Sequence, residues 1–533
     1  MNMKNNQKGK SVMDLPLRQL RVENLTLEEK VGQMLCFAFH GTEYNEQLDT
    51  QIKKLKLGGV IHFARNIINI EQVKKLNQDI QDNAEIPMFI GTDQEGGMVL
   101  RVTDGITPFP GAMAFSASGE SNYNVCKNVG NDLKYLGFNM AYAPVGDVNN
   151  NPLNPVINSR SYSDDPDLVS KYVIDGFRGF QDSLVIPSAK HFPGHGDTSV
   201  DSHLSMPTVD KEYSELEKVE FVPFKKAIDA GIDGIMAAHV VYPAIDDIYP
   251  ATLSKKVITG ILKEKMGYKG LIITDSLTMG AINNNYTKGE IVELAANAGI
   301  DILIFCGRAD INDQIEIYNE FLERAKDGRI SIDRINESVE KILKYKEKYQ
   351  IITLPEKLSD ESAHKEAIDI SRKSVTLDFD TLGITKKKTS NQLILFPEIK
   401  LSSLVDNDKN GYKTLGSFMG CDEILFNDEL NNLQQIIEKS EKYDKIIMCT
   451  YNVKKNDYYV KLFDSLDKNK TIVVSMRSPY DYMYLKDLNA YICIYEATNL
   501  SLSSLAECLN FQCEFKGKLP IKKWGDIYEN CKS

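Results

Sequence analysis

Eight short apolar runs alternate with longer amphipathic stretches between about residues 20 and 350, and this alternation limits the fold more than any other feature. The runs are Met34–Phe39, Gly59–Phe63, Met88–Thr92, Phe138–Ala143, Val185–Lys190, Gly234–His239, Leu271–Thr274 and Ile300–Phe305. Between them lie helical patterns such as Glu71–Asn83, Val169–Gln181, Glu215–Ala230, Lys255–Met266 and Gly289–Ala298. Short strands separated by helices of about ten residues or more make parallel βαβ units. Eight such units predict an α/β fold, a (β/α)8 TIM-type barrel. A doubly wound open sheet is the alternative that the same pattern allows.

The pattern divides the chain in two. Residues 15–350 form the expected barrel domain, closed by a Lys/Glu-rich helix over Ile332–Tyr349. Residues 351–365, with Pro355 and a Ser/Asp/Glu cluster, read as a linker. Residues 366–533 carry apolar runs at Gln392–Phe396, Lys445–Thr450, Thr471–Met476 and Tyr491–Tyr495, with helical patterns at Glu429–Lys439 and Ser501–Leu509. They predict a smaller C-terminal α/β sandwich without a Gly-rich phosphate loop, whose expected role is packing or partner contact.

Composition removes several classes of function. A net charge of −12 argues against a broad nucleic-acid or anionic-membrane surface, though not against an anionic substrate. The nine cysteines are scattered, with Cys36, Cys306, Cys449 and Cys493 in apolar runs, which suggests buried thiols in a reducing compartment. No run approaches the 18 or so apolar residues that span a bilayer. Residues 1–14 are polar and lysine-rich, so the expected address is the cytoplasm.

Chemistry-bearing residues gather at the predicted strand ends. Strand three runs into Asp93-Gln94-Glu95-Gly96-Gly97, strand six ends at His239, and strand seven ends in Thr274-Asp275-Ser276-Leu277. Strand five runs into Lys190-His191-Phe192-Pro193-Gly194-His195-Gly196-Asp197-Thr198, with Asp201-Ser202-His203 just beyond. Three of the seven histidines fall in this one loop. In a barrel, C-terminal strand ends converge on a single face. A carboxylate placed like Asp275 can attack an anomeric carbon, or simply cap a helix. In Asp201-x-His203, the carboxylate can orient an imidazole that transfers protons near neutral pH. The three histidines with Asp197 or Asp201 have donor types that would also suit zinc or iron, although the Pro/Gly turn offers no helical ligand spacing. Asp93, Arg101, Arg160, Lys190 and His191 offer the directed donors and acceptors that a sugar's hydroxyls need.

On these segments, together with Asn158-Ser159-Arg160-Ser161, the chain resembles glycoside hydrolase family 3, and within it the bacterial β-N-acetylglucosaminidases that act on cell-wall fragments. The matching segments span the whole barrel in the family's order. The resemblance implies a retaining exo-β-N-acetylglucosaminidase with Asp275 as nucleophile and His203, paired with Asp201, as general acid/base. It implies that Asp93, Arg101, Arg160, Lys190 and His191 hold the terminal N-acetylglucosamine. No cofactor, metal, nucleic acid or membrane is implied as a partner. The family's β-glucosidases typically lack the Gly-His-Gly-Asp-Thr loop. One departure stands out: relatives usually carry arginine after the Gly-Gly pair, where this chain has Met98. The rival readings are a family β-glucosidase, an N-acetylglucosamine phosphorylase, in which phosphate replaces water as acceptor, and a non-catalytic sugar-binding protein.

Overall fold

The structure, a computed structural model, describes residues 21–200, 202, 205–307, 310–349, 351, 353–399, 413–429, 431–454 and 457–522. Its first domain is built on strands β1 (Leu35–Ala38), β2 (Gly59–His62), β3 (Phe89–Thr92), β6 (Met140–Ala141), β7 (Ile186–Phe192), β8 (Gly234–Ala237), β9 (Leu271–Thr274) and β10 (Leu303–Phe305). A two-stranded hairpin, β4 (Gln94–Gly96) and β5 (Val99–Leu100), follows β3. The eight main strands lie in the order β10-β1-β2-β3-β6-β7-β8-β9, and every pairing is parallel. The sheet's two ends meet where Ile273 bridges Ile302 and the Thr274 amide donates to the Ile302 carbonyl at 3.0 Å. All eight strands are buried along their whole length, because helices cover the outer face and side chains fill the inner one. That is why they read as continuous apolar runs and not as alternating ones.

Each predicted strand is present, with β6 trimmed to Met140–Ala141 and the last strand starting at Leu303. The helices follow local signals. Asn69 caps Ile70–Asn83, and Asp165 caps Pro166–Asp182 with proline in its first turn. Thr287 and Glu290 make a capping box for Lys288–Ala298. The predicted helix Glu215–Ala230 is split into Tyr213–Leu216 and Phe221–Asp229. Pro223 has no N–H to continue a helix from the preceding turn, but it is tolerated in the first turn of a new one. Lys256–Lys265 is wound as a wider π-helix.

The second domain is a six-stranded sheet of β11 (Thr376–Asp380), β12 (Gln392–Pro397), β13 (Asp422–Phe426), β14 (Lys445–Thr450), β15 (Thr471–Ser475) and β16 (Ala490–Cys493). Its order is β11-β16-β15-β14-β12-β13, parallel except for the β11–β16 pair. The two strands that sequence patterning misses, β11 and β13, are the sheet's edges, where partial exposure interrupts the apolar run. A helix, Glu361–Ser374, capped by Asp360, begins inside the stretch read as a linker and packs on the barrel-domain helix Ala112–Ser118.

The domains share a core. Met98, Met113, Ala114 and Ala117 of the first domain belong to the apolar cluster of the second. Met98, the position where relatives usually carry arginine, is 4% exposed in that cluster. An apolar side chain is what this buried seam accommodates. Against the expectation of free thiols, Cys508 and Cys513 form a disulfide. The other described cysteines, Cys36, Cys126, Cys306, Cys421, Cys449 and Cys493, are free. Among the described residues, no helix is long and apolar enough to cross a membrane.

Candidate active site

A cavity of about 350 Å³ opens at the C-terminal ends of the barrel strands. Asp93, Arg101, Arg160, Lys190, His191 and Asp275, which come from widely separated stretches of the chain, all line it. Asp201 and His203 lie outside the described residues. Their neighbour Ser202 is described, is buried and lines the same cavity. The Ala281 amide donates to the Ser202 carbonyl at 3.2 Å, and Ser202 Oγ pairs with His195 Nε2 at 3.0 Å.

The cations are tied into one buried network. Lys190 Nζ donates to Asp93 Oδ1 at 2.8 Å and lies 2.6 Å from Glu95 Oε1. Arg160 grips Glu95 through two parallel bonds, Nε to Oε2 and Nη2 to Oε1, both 2.8 Å. Arg101 Nη2 donates to Asp93 Oδ2 at 3.3 Å. Burial opposes ionisation of Asp93 and Glu95, yet Lys190 with Arg101, and Arg160 with Lys190, outweigh it and hold both carboxyls below their usual range. Burial likewise disfavours charged Lys190, and its two carboxylate neighbours reverse the effect and raise it. The network is therefore charged and rigid at neutral pH. Its planar forks and directed oxygens stand ready to recognise hydroxyls.

Glu95 is the partner that sequence reasoning missed, although it stands in the quoted Asp-Gln-Glu-Gly-Gly run. The hairpin carries it to Arg160 and Lys190, a juxtaposition that no local pattern encodes. Asp147 is a second omission. It is fully enclosed, and its Oδ1 accepts from the amides of His191 at 3.1 Å and His195 at 2.7 Å. Its Oδ2 lies 2.7 Å from His191 Nδ1. Burial opposes its charge, but the two histidines hold it below the usual carboxylate range. An ionised Asp147 selects the Nδ1–H form of His191 and turns Nε2 toward the cavity, 4.0 Å from Asp275 Oδ2. The signal was an aspartate between Val145 and Val148, a placement costly to bury without partners.

Local structure explains how adjacent residues serve one cavity. Strict alternation along a strand would send Lys190 and His191 to opposite faces. The pairing of β7 with β8 slips between Lys190 and Phe192, and this bulge lets both line the site. The loop beyond is held close. A side chain at Gly196 would collide with the Val148 carbonyl, and Asn154 Nδ2 donates to the carbonyls of His195 and Gly196, each at 2.9 Å. Both ring nitrogens of His195 are engaged, Nδ1 by Thr198 Oγ1 at 2.9 Å and Nε2 by Ser202. Burial and then neighbouring His191 push its pKa down to about 4, so it is neutral and frames the loop. His239, at the end of the sixth barrel strand, is bound by Thr252 Oγ1 at 2.9 Å and the Ser276 carbonyl at 2.8 Å. It thereby braces the turn after Asp275.

Asp275 follows β9 directly. Its Oδ1 accepts from the Ser276 amide at 2.7 Å, and its side chain is 24% exposed, more open than Asp93 at 15% or Glu95 at 3%. It is the carboxylate of this cluster most accessible to a ligand.

Comparison with known proteins agrees with this geometry. The sequence profile described as "Glycosyl hydrolase family 3 N terminal domain" matches residues 26–345. Beta-hexosaminidase A of Pseudoalteromonas piscicida is 34% identical over 57% of this chain, and the match spans 55% of that relative's length. A beta-hexosaminidase of Nitrosomonas eutropha is 33% identical over 52% of this chain and 81% of its own. Among solved structures, a glycoside hydrolase family 3 beta-N-acetylglucosaminidase from Paenibacillus sp. str. FPU-7 superposes with a TM-score of 0.88. It is 35% identical and covers 93% of this chain and 99% of its own, so the likeness includes the second domain. This chain belongs to glycosyl hydrolase family 3 and is a glycoside hydrolase.

Proposed function

We propose that the chain is a retaining exo-β-N-acetylhexosaminidase that removes terminal N-acetylglucosamine from peptidoglycan-derived or chito-oligosaccharide glycosides. One observation carries this reading. Asp275, the most open carboxylate of the cluster, faces His191 across 4.0 Å, beside a pre-charged network of Asp93, Arg101, Arg160 and Lys190. The names of the relatives described above support the choice of sugar.

In this mechanism Asp93, Arg101, Arg160, Lys190 and His191 hold the ring's hydroxyls, and Asp275 attacks the anomeric carbon. His203, oriented by Asp201, protonates the departing glycosidic oxygen. A covalent glycosyl ester of Asp275 results. His203 then takes a proton from water, whose oxygen attacks the same carbon and frees Asp275, with net retention. The proposed address is the cytoplasm, which the six free described cysteines favour and the Cys508–Cys513 disulfide opposes.

The test is a substrate panel. Chromogenic N-acetylglucosaminide and glucoside are compared in phosphate-free and phosphate buffers, and the product anomer is followed by NMR. Release of β-N-acetylglucosamine is expected. Preference for the glucoside, or sugar 1-phosphate as the main product, replaces the reading with one of its rivals.

A further inference from the structure

A second cavity, of about 600 Å³, opens between the barrel loop of residues 152–158 and the second domain. It shares no lining residue with the catalytic cavity. Its volume falls within the roughly 300–1,000 Å³ typical of small-molecule clefts. Five of its seventeen lining residues are tyrosines, against 25 in the 533 residues of the chain, so its walls are strongly enriched in aromatic rings. Tyr458 and Tyr459 stack with their centroids 4.2 Å apart, and Tyr458 is only half-buried. Tyr480 is anchored by Asn149 Nδ2, which donates to its hydroxyl at 3.0 Å.

The barrel side of the cleft supplies a polar group that lacks a partner. Asn158 is 5% exposed, and its Nδ2 donates to Ser478 Oγ at 3.2 Å. Its Oδ1 is buried and accepts no hydrogen bond among the described residues. A buried acceptor is costly until a donor meets it. Tyr458 and Tyr484 are partly exposed, with buried Tyr451, Tyr459 and Tyr480 behind them, and with the polar side chains that line the cleft they form an amphipathic surface. A pyranose is its chemical complement, with apolar C–H faces to stack and a rim of hydroxyl and acetamido donors.

We propose that this interdomain cleft is a second carbohydrate-binding site, which takes sugar units of an N-acetylhexosamine oligosaccharide apart from the ring being cleaved. The choice of sugar rests on the activity proposed above, and the existence of the site does not. The cleft grips the far side of a loop that also serves catalysis. Asn154 and Asn158 line the cleft, Asn154 holds the His195 and Gly196 carbonyls, and Arg160 lies two residues further on in the catalytic cavity.

The experiment is a calorimetric titration of the full-length Asp275→Asn variant with the N-acetylglucosamine trisaccharide and, separately, with cellotriose. Two binding events are expected for the matching sugar. Adding Tyr458→Ala should weaken one of them by about tenfold or more and leave the other in place. Leu153→Trp, at a lining position that is 60% exposed and so tolerant of change, should occlude the same event without disturbing the fold. The absence, with both sugars, of any binding event that the two substitutions weaken overturns the proposal. The two readings fail separately. A cleft event for cellotriose alone, with no cleavage of the chromogenic N-acetylglucosaminide, keeps the site and discards the sugar assignment. Cleavage without any binding event that the two substitutions weaken keeps the activity and discards the site.

Discussion

The amide of Gly111 in the barrel domain donates to Glu496 Oε2 in the second domain at 2.5 Å. Glu496 is buried, and a side chain at either Gly97 or Gly111 would collide with its carboxyl. Gly97 also sits at a φ of 60°, in the left-handed region that favours glycine. The second domain thus presses on the hairpin that carries Glu95, the carboxylate holding Arg160 and Lys190.

Burial pushes the Glu496 carboxyl up to about 7. A carboxyl raised in the folded state contributes stability that is complete below its unfolded pKa and is lost as pH rises through the folded value. Glu496 by itself therefore makes the melting temperature fall between about pH 5 and about pH 8, while His62 and His195, which burial lowers to about 3 and about 4, act in the opposite sense, so Glu496→Gln should shift the slope toward rising stability with pH. Asp481, which burial also raises to about 7, keeps its own share of the slope in the variant. An unchanged slope in a pH series of thermal melts would count against the assignment.

Glu95→Gln keeps the shape of the side chain and removes its charge. Arg160 and Lys190 then share a buried site with one carboxylate fewer. Breaking a buried pair from one side costs about 3–5 kcal/mol. Denaturant unfolding should register a loss of that order, and a loss below about 1 kcal/mol, the scale of a surface ion pair, would show the network to be solvated.

Asp275→Asn should lower kcat on order of 10⁴-fold or more with the fold intact, since an amide cannot form the glycosyl ester. Pre-steady-state kinetics on a substrate with a good leaving group should show a burst in the parent and none in the variant. Near-normal hydrolysis by the variant would remove Asp275 from the nucleophile role.

Met98→Ala should destabilise the protein by about 2–5 kcal/mol, the range for truncating a buried methionine. Met98 belongs to a cluster drawn from both domains, so the loss should appear at the unfolding of the seam between them. A change within about 0.5 kcal/mol, the scale of surface substitutions, would mean that the seam is loosely packed.

The sequence by itself determined the barrel. Leu271–Thr274 matches β9 residue for residue, and the runs over Met34–Phe39 and Gly59–Phe63 match β1 and β2 to within a residue at each end. Strands buried on both faces must be apolar throughout, so their chemistry is written in the local order of residues. Asp93, Lys190, His191 and Asp275 stand at or just beyond the predicted strand ends, and the structure brings all four to one cavity. Tertiary structure alone decided the partners. Glu95 reaches Arg160 across 65 positions, Asp147 reaches His191 across 44, and Glu496 reaches Gly111 across 385. A buried charge is specified by whatever folding brings within about 3 Å of it, and that distance is a property of the packed chain.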